Sequence, residues 1–402
     1  MNTRAASPLD IDLTSHEYRT NPYPLYERLR DEAPVHYMPG YTSDGEDVYV
    51  LSRYEDVETA LKDTTRFSSQ VGKSDYLNLP LLVNRDNPDH RRLRVHANKS
   101  FSARRVATMG DWVQDIVVEL RDDILSRERT EFVDTYSTLL PLRVIGAMLG
   151  IPLDRKQDLR RWSSAVMHMF AVAAGMDPEE APGYYEDLVE FGNYMDERAR
   201  ERESGEYDDD ILNRLVQAHS KGDLTRDELT VMAWSFVAAG HETTMNLLGG
   251  GIHFLVTQPD MAAFLRQNPD HTRRFIEEYL RLYAPTQWVL RRALTDVNLH
   301  GVDIPAGSLI HVLLASANRD PRQYPDPDTF DISRPTIERH MAFGGGPHFC
   351  PGTALSRLLA DLSFRSWYPH VHRLSLDPAD PPTLRLTQGS FGFARLPFII
   401  GD

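Results

Sequence analysis

HMAFGGGPHFCPG, residues 340 to 352, holds the only thiol of the chain in a glycine- and proline-rich loop, and a helical pattern, TALSRLLADLSF, follows directly. A lone cysteine is more often a small buried hydrophobe than a ligand or nucleophile, and on that bland reading Cys350 is incidental. Three features weigh against it. Gly344, Gly345 and Gly346 in a row let backbone approach a flat object that side chains would hold off. Amides near a helix start point at the sulfur and favour the thiolate, the form that binds metal. His348 and arginines upstream add positive charge near that thiolate and near any anionic cofactor.

A second stretch, AGHETTM at 239–245, sits inside an otherwise apolar segment. His241 and Glu242 look like the start of a zinc-protease motif, which needs another histidine at i+4. That position is Met245, and a thioether does not replace neutral imidazole on zinc. The acid and two threonines therefore need a different account. Thr225, with Glu228 three residues on, forms a capping box that opens the segment. Leu229, Met232, Phe236, Gly240, Thr243 and Leu247 then recur every three or four residues, and nearly every face is apolar. This pattern predicts a long, buried, central helix.

The 402 residues, 41% hydrophobic and 26% charged, suffice for a large core. With one cysteine, intrachain disulfides, multi-cysteine zinc sites and iron–sulfur clusters from this chain are excluded, and a reducing cytoplasm is expected. Neither a signal peptide in the first twenty residues nor a membrane-spanning window is visible. A net charge of -15 argues against general nucleic-acid binding. Helical periodicity over 111–127, 135–149 (disturbed by Pro141), 155–174, 184–202 and 210–220 outweighs short strand signals at 35–38, 47–52, 288–294, 299–314 and the C-terminus. GEYDDD, 205–210, reads as an acidic turn. With no strand–helix alternation, repeat or linker, the expectation is one mainly α domain over 1–402 with small peripheral β-sheets.

The loop Phe343-Gly344-Gly345-Gly346-Pro347-His348-Phe349-Cys350-Pro351-Gly352 resembles the haem-binding loop of the cytochromes P-450, the haem-thiolate monooxygenases. Glu278-Tyr279-Leu280-Arg281 is similar to that family's Glu-x-x-Arg pair, and Ala239-Gly240-His241-Glu242-Thr243 to its oxygen-binding helix. ANRDP at 317–321, FDISRP at 330–335 and NPYPLYERLR at 21–30 are similar to soluble bacterial members, so the resemblance runs along essentially the whole chain. It implies haem b (iron protoporphyrin IX) ligated by Cys350, a long central helix over the haem, O2 as co-substrate and a hydrophobic small-molecule substrate. No Gly-x-Gly-x-x-Gly or Walker loop and no fused flavin or ferredoxin domain is visible. Electrons are therefore expected from a separate ferredoxin and ferredoxin reductase.

The resemblance also gives the acid and hydroxyls of the helix a use. Thiolate ligation favours O–O cleavage, which also needs protons in a dry pocket. Glu242–Thr243 would relay them, while Ala239–Gly240 would leave room for dioxygen and let the helix bulge. The bland alternatives are a Thr243 hydroxyl bonded back to the carbonyl at i−4 and an exposed or capping Glu242. His241 and Thr244 stay open. Phe343, Gly344 and Gly352 belong to the cofactor loop. The haem propionates are expected on His90, Arg94, Arg291 and His348, with Arg292 the neighbour easily mistaken for Arg291; a solvated charge is the alternative for each. A pair such as Glu278–Arg281 at i, i+3 is commonly a modest surface bridge. In the resembling family it is buried and completed by a third basic residue, here Arg334, as a scaffold for the cysteine loop.

Matching pocket regions are 71–84, 167–176, Ala238, 286–290 with Trp288 and Val289, and Phe391, mostly apolar, as a hydrophobic substrate requires. The run from 90 to 105 carries Arg91, Arg92, Arg94, Lys99, Arg104 and Arg105 without one acid. In the resembling fold it flanks the proximal haem surface near Arg357, so Arg92 and Arg104 are expected to dock an acidic ferredoxin. Competing readings are peroxide-driven oxidation, oxidative coupling or desaturation by a haem-thiolate enzyme, a non-catalytic haem sensor or carrier, and a haem-free helical binder. Glu242–Thr243 favours the O2-dependent monooxygenase, since a peroxide-driven enzyme or a carrier can dispense with a proton relay.

Overall fold

Arg226–Thr257 forms one unbroken helix of 32 residues, and the rest of the molecule is arranged around it. Its capping box closes as expected: Thr225 Oγ1 accepts from the Glu228 amide at 3.2 Å, and Glu228 accepts from the Thr225 amide at 2.8 Å. Leu229, Val237, Leu248, Ile252 and Leu255 are fully buried, so the helix earns its stability from packing and not from an amphipathic face. The computed structural model describes residues 9–401 apart from 10, 14, 43–44, 72–80, 174–181, 204, 206–208 and 386–388.

Three consecutive glycines let other helices approach this one closely. A Cβ on Gly250 would lie 1.9 Å from the Tyr279 hydroxyl oxygen, and one on Gly251 would lie 2.3 Å from Cζ of the fully buried Phe364. Tyr279 belongs to the helix Thr272–Leu282, which carries Glu277, Glu278 and Arg281. Phe364 belongs to the helix Thr353–Trp367, which begins just after Cys350. The glycines therefore set how near the central helix comes to both elements that frame the thiol.

The remaining expected helices are Gly110–Leu125, Leu139–Met148, Lys156–Ala173, Tyr184–Glu203 and Ile211–Ser220. Pro141 does not break its helix. It lies in the first turn, where its missing amide has no intrahelical acceptor to lose, and a π-helical turn, Val133–Ser137, precedes it. Asp210 caps the last of these helices by accepting from the Asn213 amide at 2.7 Å; part of the acidic stretch before it, 206–208, lies outside the described residues.

Among the described residues the largest sheet has five strands, in the order Val35–Met38, Val48–Leu51, Leu309–Val312, Val289–Ala293 and Phe67–Ser68. Only the Val48–Leu51 pairing with Leu309–Val312 is parallel. The segment 299–314 forms two separate strands, turned by Gly301 and Gly307 at positive φ. Side chains alternate across the sheet. Tyr49, Leu51, Ile310 and Val312 pack on one face, and Val48, Val50 and Leu309 on the other. Among the described residues no helix is long and apolar enough to cross a membrane.

Candidate active site

Two glycines set the shape of the cysteine loop. Gly344 and Gly346 have φ of +69° and +62°, and a Cβ on Gly346 would lie 2.2 Å from the Leu61 carbonyl oxygen. The Cys350 amide donates to the Phe343 carbonyl at 2.9 Å, which closes the loop, and the Thr353 hydroxyl donates to the Cys350 carbonyl at 2.7 Å. Burial pushes the Cys350 thiol up, against the pull of the Gly352 amide, the Thr353 hydroxyl and the charges of Arg94 and Arg357. Those groups all favour the thiolate, and a bound metal cation would deprotonate the sulfur outright.

Beside the loop lies a nest of basic groups. The rings of His90 and His348 are 4.0 Å apart, and His90 Nε2 is buried with no hydrogen-bond partner among the described residues. Arg291 is 5% exposed, and its one described hydrogen bond goes to the Leu290 carbonyl. Burial lowers Arg291 to about 10, opposed by Asp86. Burial, then His90, Arg291 and Arg94, lower His348 to about 3. Asp86 cannot neutralise the nest in contact, because its oxygens are taken by the Ser68 hydroxyl and the Ser69 amide. Arg94 reaches Asn98 Oδ1 at 2.8 Å and the Phe349 carbonyl. Arg291, a buried cation without a contacting carboxylate among the described residues, is costly until an anion arrives, and carboxylates from a cofactor would satisfy it together with the N–H donors of Arg94, His90 and His348. Arg292, one residue from Arg291, points to the other sheet face and pairs with Glu46 at 2.6 Å, which separates the two arginines by role.

On the central helix, Ala239 is exposed while Ser235 and Thr243, four residues to either side, are half-buried, so the three share an open side midway along the helix. Thr243 Oγ1 donates to the Ala239 carbonyl at 2.9 Å, the local bond anticipated for a mid-helix threonine, so toward the opening the hydroxyl presents lone pairs. Glu242 is 7% exposed and neither caps nor faces solvent; its Oε1 accepts from the Ser390 hydroxyl at 2.6 Å. Sequence reasoning missed Ser390, which nothing in the C-terminal stretch marks. Gly240 faces Ile145, 3.6 Å from its Cβ position, and the helix runs through it without a bulge. His241 turns away, its Nδ1 2.7 Å from the Ser163 hydroxyl, and burial lowers it to about 3, so it is neutral.

Beneath the loop, Glu278 and Arg281 are fully buried. The carboxylate accepts two hydrogen bonds at 2.7 Å from Arg281, one at 2.9 Å from the Asp331 amide and one at 3.4 Å from Arg334. Both arginines spend their remaining donors on carbonyls between Asn318 and Thr329. This triad therefore organises the segment 318–334. The acid in contact with the cysteine loop and the helix after it is its neighbour Glu277, which sequence reasoning passed over. Glu277 accepts from His340 Nε2 at 2.9 Å, from Arg357 at 2.8 and 2.6 Å and from Arg273 at 2.6 Å. His340 Nδ1 accepts from the Ala342 amide, consistent with a proton on Nε2. The Arg357 guanidinium lies 4.9 Å over the Phe343 ring. Burial raises the Glu277 carboxyl, but His340 and Arg357 outweigh it and hold it at about 2.

Four expected positions need correction. Trp288 does not share a face with Arg291; its ring stacks 4.5 Å from His311 and packs in the apolar cluster on the other side of the sheet, because side chains alternate along a strand. Val289, half-buried, keeps the Arg291 side. The Phe391 ring lies 5.8 Å from Tyr23 near the N-terminus, and Ala238 is buried in the helical core while Ala239 takes the open position. Arg92 is bound to Glu228 at 2.5 and 3.0 Å and to the Asp223 carbonyl, so its charge anchors the start of the central helix. Arg104 is exposed as expected. Residues 72–80 and 174–176, expected to line the pocket, lie outside the described residues.

A lone thiol in a tight glycine loop, beside a buried arginine that lacks an anion, a half-buried arginine and two imidazoles, fits a flat, anionic cofactor that carries a metal. The family model described as Cytochrome P450 matches residues 37–367. The chain is 34% identical over 385 residues to 6-deoxyerythronolide B hydroxylase of Saccharopolyspora erythraea, covering 91% of this chain and 92% of that one. It is 32% identical over 407 residues to vitamin D(3) 25-hydroxylase of Pseudonocardia autotrophica, covering 97% and 96%. The solved structure of P450BioI in complex with an acyl carrier protein ligated to hexadec-9Z-enoic acid superposes with a TM-score of 0.86 at 27% identity, covering 96% of this chain and 100% of that one. The chain belongs to the cytochrome P450 family, whose members bind haem iron through a cysteine thiolate, and it is a haem monooxygenase.

Proposed function

We propose that this monooxygenase inserts one oxygen atom from O2 into a small or medium apolar molecule, with Cys350 as the iron ligand, Glu242 and Thr243 delivering protons, and a separate ferredoxin and its reductase supplying electrons. The observation that carries this reading is a nearly buried acid, Glu242, beside the half-buried hydroxyl of Thr243, one turn from the exposed Ala239 in the middle of an apolar helix. The haem, when bound, supplies the activation of dioxygen. His90, Arg94, Arg291 and His348 hold its propionates, and Phe343 and the loop glycines shape its proximal side. Leu247, Leu248 and their neighbours exclude bulk water, so protons come only through placed groups. Thr243, its own proton given to Ala239, accepts from water or from a protonated partner, and Glu242 replenishes that proton. Glu278, Arg281 and Arg334 keep the proximal segment in place.

The proximal face supports an acidic protein donor. A groove of about 710 Å³ has Phe101, Val106 and Phe349 among its apolar lining and Arg94, Arg273 and Arg357 as cations. Such a donor belongs with a cytoplasmic location. The named ligands of the three relatives differ, and with the half-buried Val289 among the described wall positions they support an apolar substrate without choosing one.

A single experiment covers ligand and relay. Wild type and Thr243→Ala should both give a ferrous–CO Soret band far to the red of a histidine-ligated haem, and Cys350→Ala should lose it. Thr243→Ala should still accept electrons from a surrogate acidic ferredoxin but send them to hydrogen peroxide. A wild-type CO band like that of a globin would refute the ligand, and an unchanged peroxide yield would refute the relay.

A further inference from the structure

Ser390 joins the C-terminal loop to the proposed proton donor. Its hydroxyl donates to Glu242 Oε1 at 2.6 Å, and Asn246 Nδ2, one helical turn on, donates to the Ser390 hydroxyl oxygen at 3.5 Å. The directions agree: a hydroxyl that donates to a carboxylate oxygen has lone pairs left for an amide. Glu242 and Asn246 are 7% and 4% exposed, so neither can trade this partner for bulk water.

The backbone fixes Ser390 from both sides. The Gln287 amide donates to the Gly389 carbonyl at 3.0 Å, the Phe391 amide donates to the Pro285 carbonyl at 2.9 Å, and Thr286 pairs with Ser390 as an isolated bridge. Gly392 presses on Asn246 so closely that a Cβ there would lie 2.1 Å from its Oδ1. The next ring, Phe391, is set against Tyr23, so the hydroxyl alone is turned toward the helix at this point. Three segments, 242–246, 285–287 and 389–392, thus meet at one oxygen.

We infer that Ser390 is a positioning residue for proton delivery: it occupies Oε1 of Glu242, fixes the carboxylate's rotamer and makes that geometry depend on the loop 389–392. The inference rests on the reading of Glu242 as a proton donor. At 2.6 Å the bond lies at the short end of O–H···O geometry, and its loss frees the carboxyl group to leave the reactive geometry.

The test uses haem-loaded, substrate-free protein reduced by a surrogate acidic ferredoxin and its reductase, with the share of electrons recovered as hydrogen peroxide as the first readout. Ser390→Ala should raise the ratio of peroxide to water on the order of three- to tenfold. Ser390→Thr, which keeps the hydroxyl, should stay near wild type, and Ser390→Ala should add nothing in a Glu242→Gln background. The second readout is thermal unfolding of the four proteins of that cycle, in which the two substitutions should be non-additive. A wild-type ratio in Ser390→Ala beside a raised ratio in Glu242→Gln overturns the inference and leaves the relay standing. Equal effects of Ser390→Ala in both backgrounds with additive unfolding, or a Ser390→Thr ratio as high as that of Ser390→Ala, overturns it as well. A wild-type ratio in Glu242→Gln removes the relay reading, and the inference with it.

Discussion

Glu277 and Glu278 are adjacent in sequence and fully buried, yet they hold different parts of the molecule. Glu278 ties the 318–334 segment through Arg281 and Arg334; Glu277 gathers His340, Arg357 and Arg273 around the thiol-bearing loop. Removing the charge of Glu277 leaves Arg357 without its buried counter-ion and His340 without its charged acceptor, and breaking a buried pair commonly costs about 3–5 kcal/mol. Arg273 is 48% exposed on its side chain and recovers solvation, so Glu277→Gln should lose about 2–3 kcal/mol, at or below the bottom of that range, in urea unfolding at pH 7. The sign of the pH dependence follows from a depressed acid: its stabilisation is present above the unfolded value of 4.5 and is lost as pH falls toward about 2. The gap between wild type and Glu277→Gln should therefore close over that window. A gap that stays constant from pH 7 to pH 3 would show that the Glu277 charge carries none of it. Sequence alone could not tell what these two acids hold, since local spacing offers each an arginine, Arg281 to Glu278 and Arg273 to Glu277, while His340 and Arg357 lie 63 and 80 positions from Glu277.

At the scale of elements, the central helix was legible because capping box and apolar periodicity are local signals. Its contacts were not. Nothing local marks what Gly250 and Gly251 are for; the structure sets Tyr279 and Phe364 against them. A Gly251→Ala substitution gains about 1 kcal/mol of helix propensity but forces a Cβ to 2.3 and 2.7 Å from a fully buried ring, and overpacking costs about 1–3 kcal/mol. The expected sum is a loss of about 1 kcal/mol, read as a lower Tm. Gly110→Ala is the control: its Cβ meets nothing within 4 Å, so it should be neutral or slightly stabilising. Equal melting of the two variants would mean that the helices can move apart freely.

For the whole molecule, a net charge of -15 coexists with a basic stretch on helices at the proximal side. The structure divides that stretch. Arg92 is spent on Glu228 and Arg105 on Asp209, whereas Arg91, Lys99 and Arg104 are exposed. Exposed charges act over roughly 8–10 Å at ordinary ionic strength, so steering of an acidic donor should fade as salt rises. Arg104→Glu should slow reduction by a ferredoxin severalfold at low salt while leaving reduction by dithionite unchanged. Arg92→Glu is unsuitable for that comparison, because a second carboxylate beside Glu228 would undo the cap of the central helix. Ferredoxin-driven reduction that is indifferent to salt and to Arg104→Glu would move the docking face elsewhere.

What the sequence determined by itself was whatever short-range chemistry can encode: a helix from its period and cap, a tight loop from its glycines, and the one thiol available to hold a metal. Motif order along the chain then carried the family. Tertiary structure decided everything that depends on which face a side chain takes. It turned Trp288 to the far side of the sheet and Arg291 to the near side, paired Arg92 with the helix start, and brought Ser390 to Glu242 across 148 positions. The physical reason is that hydrogen bonds and ion pairs act over a few ångströms in space, whatever the distance along the chain. A serine in a loop and an acid beside a better-known acid become functional only when the fold closes that distance.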